Sequence, residues 1–117
     1  MAHLEKAARK LIPLSEATYL ILAALTAPRH GYAIMQEVEA ISEGRVSVGP
    51  GTLYGALTNL LQQKLIRRCG ETDGEGGRRK VYALTPLGEA VLAVEGERLA
   101  SLSRLAVDVA KKLGGTR

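Results

Sequence analysis

The stretch GPGTLYGALTNLLQQKLI, from Gly49 to Ile66, opens with three glycines in seven residues and continues as an amphipathic pattern. Pro50 suits the first position of a helix, because its missing N–H would have no partner there. After it, leucines recur at helical spacing, and the residues between them are small or polar and uncharged. The stretch therefore predicts an amphipathic helix with one buried side and one neutral, hydrogen-bonding side. The buried side is predicted from Leu53, Leu57, Leu60 and Leu61, and the outer side from Thr52, Tyr54, Gly55, Thr58, Asn59 and Gln62.

Glycines before a helix are also typical of phosphate-binding loops, so a nucleotide site is the first alternative. A Walker loop requires a Lys directly after its second glycine, and no such Lys follows Gly55. The dinucleotide fingerprint G-x-G-x-x-G would require a glycine at the position of Tyr54. The surrounding sequence does not predict a strand–helix–strand unit either. These departures argue against nucleotide binding.

The composition is that of a single globular domain. Hydrophobic residues make up 46% of the 117 residues and charged residues 24%, which are ordinary values for such a domain. The longest apolar run, from Tyr19 to Leu25, is far shorter than the ~20 residues that span a bilayer. The N-terminus carries charges where a secretory signal is apolar, and Cys69 has no second cysteine with which to pair. We therefore expect a cytoplasmic protein that does not contact membranes.

The positive charge of the chain is concentrated in its middle. The formal net charge is +4, and residues 45–80 hold seven basic groups against three acidic ones. The flanking parts are nearly balanced. Such a concentration favours a polyanionic partner, although basic surfaces are also common on proteins that bind no nucleic acid.

Three helical segments precede the opening stretch. The first covers residues 4–12 and is amphipathic. The second begins after Ser15, a preferred N-cap residue, and is apolar nearly all round, which is typical of a central core helix. A turn bracketed by Pro28 and Gly31 leads to the third, over residues 32–42. The inner side of this third helix is predicted from Ile34, Val38 and Ile41.

Two strands and a last helix follow the opening stretch. Residues 66–72 and 78–84 are rich in β-forming side chains, and the connector DGEGG at 73–77 indicates a hairpin between them. Thr85 and Pro86 begin the last helix as its N-cap and its first residue.

Apolar residues in the last helix recur at alternating steps of three and four, which is the pattern of a coiled-coil seam. They are Leu99, Leu102, Ala106, Val109 and Leu113. On the terminal helix of a small protein, such a seam favours contact with a second copy of the chain. The alternative is that the helix packs back on its own core.

The order helix, helix, helix, hairpin, helix predicts an α+β, mostly α fold, the winged helix-turn-helix. In this fold the third core helix enters the major groove, where base edges are distinguishable. The polar side of the helix after Pro50 has hydrogen-bonding groups for that role, and Gly55 lets the backbone approach closely. The segment Arg78 to Lys80 supplies basic groups for phosphate contacts, and Arg67 and Arg68 lie on the partner strand. Strand alternation directs the middle residue of that segment away from its two neighbours.

Three segments make a family resemblance specific. HGYAIMQEVE (30–39), GTLYGALTNL (51–60) and RRKVYALTPLG (78–88) resemble, in this order and at these separations, the PadR family of bacterial transcriptional regulators. The resemblance extends over residues 14–88. It implies a winged-helix homodimer that represses promoters and, in many members, is released by a small-molecule effector. It also implies dimer contacts from the C-terminal helix, helped by the N-terminal one.

This chain departs from the family pattern at four positions. The family usually has Pro where this chain has Gly55, Arg at Asn59, Glu at Leu61 and Gly at Lys64. The first two positions lie on the predicted reading side of the helix. The target sequence therefore cannot be inherited from any relative.

The residue pattern and the resemblance together predict one domain, 1–117, with a winged-helix core at 14–84 and dimerisation helices within 1–13 and 85–117. Double-stranded DNA is the predicted partner of Tyr32, Thr52, Tyr54, Gly55, Thr58, Asn59, Lys64, Arg67, Arg78, Arg79 and Lys80. A second copy is the predicted partner of Leu4, Leu11, Leu99, Leu102, Ala106, Val109 and Leu113. For Tyr54 the alternative is a ring packed on the hairpin, and His30 is interpreted as a turn or packing residue.

Catalysis has little support in the sequence. The chain has two His, one Cys and two Asp, and their positions do not form a metal-ligand set or a nucleophile–base pair. We therefore predict neither an enzyme nor a cofactor. The alternative function is a winged-helix module for protein–protein interaction without DNA binding, and the basic hairpin argues against it.

Overall fold

Five helices and three strands surround an aliphatic core in the computed structural model, which describes residues 2–74 and 77–114. This architecture confirms the predicted mostly helical winged helix-turn-helix. Glu75 and Gly76 of the predicted connector, and the extreme ends of the predicted domain, lie outside the described residues. The elements are α1 (Ala2–Arg9), α2 (Glu16–Ala24), β1 (Arg29–His30), α3 (Gly31–Ile41), α4 (Pro50–Gln62), β2 (Ile66–Gly74), β3 (Gly77–Leu84) and α5 (Pro86–Lys112).

Side-chain caps set the starts of the helices. The Ser15 hydroxyl accepts a hydrogen bond from the Thr18 N–H at 3.1 Å, and the Thr85 hydroxyl accepts one from the Gly88 N–H at 3.0 Å. Both caps were predicted from the sequence, as was the Pro start of α4. His30 adds a cap that the sequence did not predict, because its Nδ1 accepts from the Ala33 N–H at 3.3 Å. The imidazole therefore takes part in the start of α3, in agreement with its interpretation as a turn residue.

The sheet has three strands in the order β1-β3-β2, all antiparallel. The sequence predicted only the hairpin and assigned the residues of β1 to a turn. This prediction was wrong because two residues are too few to show a strand period, yet Arg29 pairs with Tyr82 and His30 with Val81. The hairpin itself pairs from Ile66 opposite Leu84 outward, with a bulge between Arg68 and Gly70.

The core is built from the leucine, isoleucine and valine stripes of the helices, and it is closed by Ile66, the first residue of β2, and by two residues of β3. The leucine stripe of α4 is buried as predicted, except that Leu61 is only partly buried. Ile41 was predicted on the inner side of α3, and this was wrong because α3 ends at Ile41, whose side chain is 43% exposed. Tyr82 is buried and packs in this core. The fully buried large side chains include Ile21, Leu22, Ile34, Leu53, Leu57 and Val91.

A left-handed residue ends α4 and aims the chain into the hairpin. Lys64 has a φ of +62°, and the N–H groups of Lys64 and Leu65 return to the carbonyls of Leu61 and Leu60, each at 3.0 Å. This is the Schellman arrangement, in which glycine is the usual left-handed residue. The Thr85 hydroxyl then donates to the Lys64 carbonyl at 2.6 Å, which joins the end of α4 to the start of α5.

The last helix is half packed and half free. Its first part buries Val91 and Val94 in the core, whereas every side chain from Ala100 to Gly114 is exposed. Of the predicted seam, only Leu99 is partly buried within the subunit. The described helices include none that is both long and apolar enough to cross a membrane.

A buried carboxylate joins α5 to the chain before α2. Glu95 is fully buried and accepts hydrogen bonds from the Leu14 N–H at 2.8 Å and from Arg98 Nε and Nη2 at 2.7 and 2.9 Å. The bonds from Arg98 hold the pKa of Glu95 below its usual range, with help from Leu14, against the opposing effect of burial. The sequence did not predict this contact.

Candidate nucleic-acid interface

The outer side of α4 is open to solvent along its whole length. All six residues predicted for it, from Thr52 to Gln62, are exposed. Tyr54 is the largest of them and retains 49% of its surface. The side chains between Pro50 and Gln62 carry no charge, so the exposed face offers only hydroxyl, amide and backbone groups.

A cleft of about 530 Å³ lies between the start of α3, the middle of α4 and the basic part of the hairpin. Of the predicted contact residues, it brings together Tyr32, Tyr54, Thr58, Arg78, Arg79 and Lys80. Thr52, Gly55, Asn59, Lys64 and Arg67 lie outside this cleft, each on the exposed surface.

Arg68 lines the cleft, whereas the sequence singled out Arg67. The reason is strand alternation: Ile66 points into the core, so residue 68 faces the helices and residue 67 faces away. Arg68 also lies opposite Tyr82, which forms part of the cleft wall. The sequence signal that points to Arg68 is the apolar residue Ile66 two positions earlier, because residues 66 and 68 lie on the same side of the strand.

Tyr54 packs on the first turn of α3. A Cβ at Gly31 would lie only 2.9 Å from Cζ of the Tyr54 ring, so the ring occupies the space that a side chain there would need. Gly31 is therefore a positioning residue, because the absence of a side chain there leaves room for the Tyr54 ring of α4 against α3. Nothing local in the sequence indicates this contact, which arises only when the two helices pack.

The basic side chains of the hairpin have different surroundings. The Arg79 guanidinium carbon lies 5.9 Å from the centre of the Tyr32 ring, within the range of a cation–π contact, and Arg79 is partly buried. Arg78 and Lys80 are exposed. Arg78 Nε lies 3.3 Å from a Glu71 carboxylate oxygen, but an exposed pair of this kind contributes at most about 1 kcal/mol. Arg78 and Lys80 are thus accessible to an external anion.

Two glycines and a threonine shape the centre of the α4 face. A Cβ built on Gly51 or on Gly55 would meet no atom within 4 Å, so both positions show bare backbone to solvent. The Thr58 hydroxyl donates to the Tyr54 carbonyl at 2.9 Å. That bond satisfies the hydroxyl proton within the helix, although Thr58 itself is exposed.

Grouped metal ligands are not found among the described residues of this surface. Within residues 2–74 and 77–114, no three His, Cys, Asp or Glu side chains lie close enough together to hold a metal ion. Cys69 is exposed at the bulge of β2.

An exposed neutral helix beside a basic two-stranded ribbon, both supported by a three-helix core, defines a protein of the winged-helix class. The sequence model of the "Transcriptional regulator PadR-like family" matches residues 20–94. The chain therefore belongs to the PadR-like family, whose members are transcriptional regulators and not enzymes.

Individual relatives support this assignment. A 37.1 kDa protein in transposon TN4556 of Streptomyces fradiae is 41% identical over 90 residues, which are 76% of this chain and 24% of that protein. The chain spans less than two thirds of the length of the curated relatives it matches. A PadR family transcription regulator from Clostridium difficile shares 25% identity and a TM-score of 0.65, over 86% of this chain and 100% of that one. Bacillus subtilis PadR, solved in complex with operator DNA, has the same fold at 24% identity and a TM-score of 0.60, over 69% of this chain and 46% of that one.

Proposed function

We propose that this chain is a sequence-specific DNA-binding transcriptional regulator that inserts α4 into the major groove. The observation that carries the proposal is the exposed, uncharged and hydrogen-bonding face of α4 beside an accessible basic ribbon. The complex of Bacillus subtilis PadR with operator DNA supports it, because that protein has the same fold.

The proposed contacts divide between base edges and phosphates. Base-edge contacts are assigned to the α4 face, since hydroxyl and amide groups read the major groove. Phosphate contacts are assigned to the basic side chains at the end of α4 and on the hairpin, and to the two cleft tyrosines. The base-edge group is Thr52, Gly55, Thr58 and Asn59, and the phosphate group is Tyr32, Tyr54, Lys64, Arg67, Arg68, Arg78, Arg79 and Lys80.

The active form proposed here is a homodimer. Beyond Leu99, helix α5 has no covering within the described subunit, and its seam residues Leu102, Val109 and Leu113 are 49%, 45% and 82% exposed. The radius of gyration is 16.2 Å, whereas a compact chain of this length has about 13 Å. A second copy on α5 and α1 would cover the projecting part. This proposal assigns residues 14–84 to the DNA-binding core and 1–13 and 85–117 to dimerisation, with Leu4 and Leu11 contributing from the N-terminal side.

Two subunits related by a two-fold axis would place two copies of α4 in successive major grooves, roughly 34 Å apart. The operator is then an inverted repeat. With about 4 to 6 phosphate contacts per subunit, the logarithmic salt slope of binding should be about −7 to −11 per dimer.

We further propose that the dimer is a transcriptional repressor located in the bacterial cytoplasm and that a small-molecule effector releases it from its operator. An effector can act only if it binds the low-affinity dimer geometry better than the high-affinity one. A cavity of about 470 Å³ between α2 and α5 has the size and location for such a ligand. It is lined mainly by Leu14, Tyr19, Leu20, Glu95 and Leu99.

The test is binding to DNA selected from a random pool by the full chain. The double variant Arg78→Ala/Lys80→Ala should weaken binding and make the salt slope shallower by about 2 per subunit, because two phosphate contacts are lost. The matched control is Lys6→Ala/Lys10→Ala, which removes the same charge from exposed positions in and just after α1, outside the cleft. If both variants lose the same DNA affinity, the cause is the lower net charge and not the loss of contacts from the hairpin. A wild-type slope near zero would contradict DNA binding.

The second candidate, a protein-interaction module, predicts a different outcome from the same variants. In that case the hairpin variant should lose a protein partner in a pull-down experiment while its weak DNA retention stays unchanged. Loss of DNA binding with partner retention unaffected supports the regulator.

A further inference from the structure

The exposed face of α4 lacks the arginine and lysine side chains that most often read guanine. Arginine and lysine make the commonest specific contact to guanine, through its O6 and N7 atoms. Helix α4, Pro50–Gln62, contains neither residue, and the nearest basic group is Lys64, after the helix has ended. Base recognition by this helix must therefore use neutral groups.

The neutral groups that are present suit A·T pairs. Asparagine can pair bidentately with adenine N6 and N7, and a threonine methyl group can contact the C5 methyl of thymine. Asn59 is exposed next to Thr58, which is also exposed and whose hydroxyl is already bonded to the Tyr54 carbonyl. An amide and a methyl group are thus both available on the exposed side of α4, about 100° apart around the helix.

The glycines leave room for the methyl groups of thymine. Gly51 and Gly55 are one helical turn apart, and Thr58 and Asn59 follow within the next turn on the same exposed side. Because nothing lies within 4 Å of a Cβ at either glycine, the helix presents a shallow depression there. Methyl groups projecting from a run of A·T pairs would fit against this bare backbone.

We propose that α4 selects A·T pairs at the centre of each half-site, with Asn59 reading an adenine and the Thr58 methyl group contacting a thymine. This inference rests on the proposed DNA binding and adds the identity of the bases. Under this proposal α4 determines which sequence is bound, whereas the hairpin adds affinity for any DNA through its phosphate contacts.

The first test compares sites selected from random DNA by the full-length wild type and by Asn59→Arg. The wild type should enrich A·T pairs at the central positions of each half-site. Asn59→Arg should change one position per half-site from A to G, since arginine pairs with guanine. Enrichment of G·C at the centre by the wild type, or unchanged preference in Asn59→Arg, would overturn the assignment. The wild type could instead enrich no sequence and retain DNA no better than Arg78→Ala/Lys80→Ala. That result would contradict the proposed function and, with it, this inference.

The second test uses base analogues in the selected site. Replacing the contacted adenine with 7-deaza-adenine should weaken wild-type binding by roughly 5- to 100-fold, and Asn59→Ala should be insensitive to the change. Replacing thymine with uracil removes the methyl group and should weaken the wild type and Thr58→Val, which keeps a methyl group at this position. Thr58→Ser keeps the hydroxyl but has no methyl group, so it should respond little to uracil. Equal uracil sensitivity in Thr58→Val and Thr58→Ser would contradict the methyl contact.

Discussion

At the scale of single residues, glycine has two opposite functions near α4. The space where a side chain of Gly31 would lie is occupied by the Tyr54 ring. The corresponding space at Gly55 is empty, with no atom within 4 Å of a Cβ built there. The first glycine therefore shapes the subunit, whereas the second shapes only the surface that a partner meets. The two are distinguishable by substitution.

Gly55→Ala should separate folding from DNA binding. An alanine at this position meets no neighbour and favours the helix, so the free energy of unfolding should rise by about 1 kcal/mol. The added methyl group should weaken DNA binding at least tenfold, because it holds the helix away from the base edges. Urea unfolding and fluorescence anisotropy with selected DNA measure the two effects. Gly31→Ala is the contrasting variant and should lose stability, and equal DNA affinity in Gly55→Ala and the wild type would contradict a close approach at this residue.

At the scale of elements, the sequence was most informative where local chemistry sets a boundary. Ser15, Pro50 and Thr85 mark helix starts that the structure confirms. Contacts between elements were not predictable in this way. β1 has only two residues, which are too few to show a strand period. Nothing near Glu95 in the sequence predicts its burial, because Leu14, which donates to it, lies 81 residues away. The contact of Tyr54 with Gly31 likewise exists only in the packed molecule.

The buried Glu95 should make stability depend on pH in a defined direction. Its pKa is lowered in the folded state by the hydrogen bonds from Arg98, so its contribution is complete above about pH 4.3, the ordinary value for glutamate. The contribution is then lost as the pH falls through the lowered folded-state pKa. In Arg98→Ala the effect of burial exceeds that of the Leu14 N–H, so the pKa of Glu95 should rise above its ordinary value. Protonation then favours the folded state, and the loss of stability that Glu95 causes in acid should disappear.

Urea unfolding between pH 3 and pH 7, at one fixed protein concentration, measures this prediction. Glu95→Gln removes the titrating group, so its stability should fall less steeply below pH 4.3 than that of the wild type. Arg9→Ala is the control, because it removes an arginine from a mostly exposed pair with Glu5. An acid limb in Arg98→Ala that coincides with that of the wild type would contradict a carboxylate held by Arg98.

At the scale of the whole molecule, the exposed apolar face of α5 is wider than the predicted seam. Leu105 is 57% exposed and lies beside the seam residues Leu102 and Ala106, so it belongs to the same uncovered face. The heptad pattern predicted Leu102 as a seam residue because it selects positions along a single stripe of the helix. Leu105 lies outside that stripe, so the pattern did not predict that it belongs to the exposed apolar face.

Leu102→Glu should disrupt the proposed dimer. A charge at this position would be buried against the partner, so the dimer dissociation constant should rise at least tenfold, as measured by sedimentation equilibrium. Ala100→Glu is the matched control, because it adds the same charge at an exposed position on the opposite side of α5 from the seam. If the seam carries no interface, both variants should associate like the wild type.

The hydrogen bond between Leu14 and Glu95 has a mechanical consequence. It fastens the last residue before the α2 cap to the long terminal helix, so the short connection between α1 and α2 has little slack. In the proposed dimer, a change in the crossing angle of the two α5 helices would therefore move each winged-helix core as a rigid body. The proposed effector could then act by altering that angle, because the distance between the two α4 helices, and with it their fit to successive major grooves, would change.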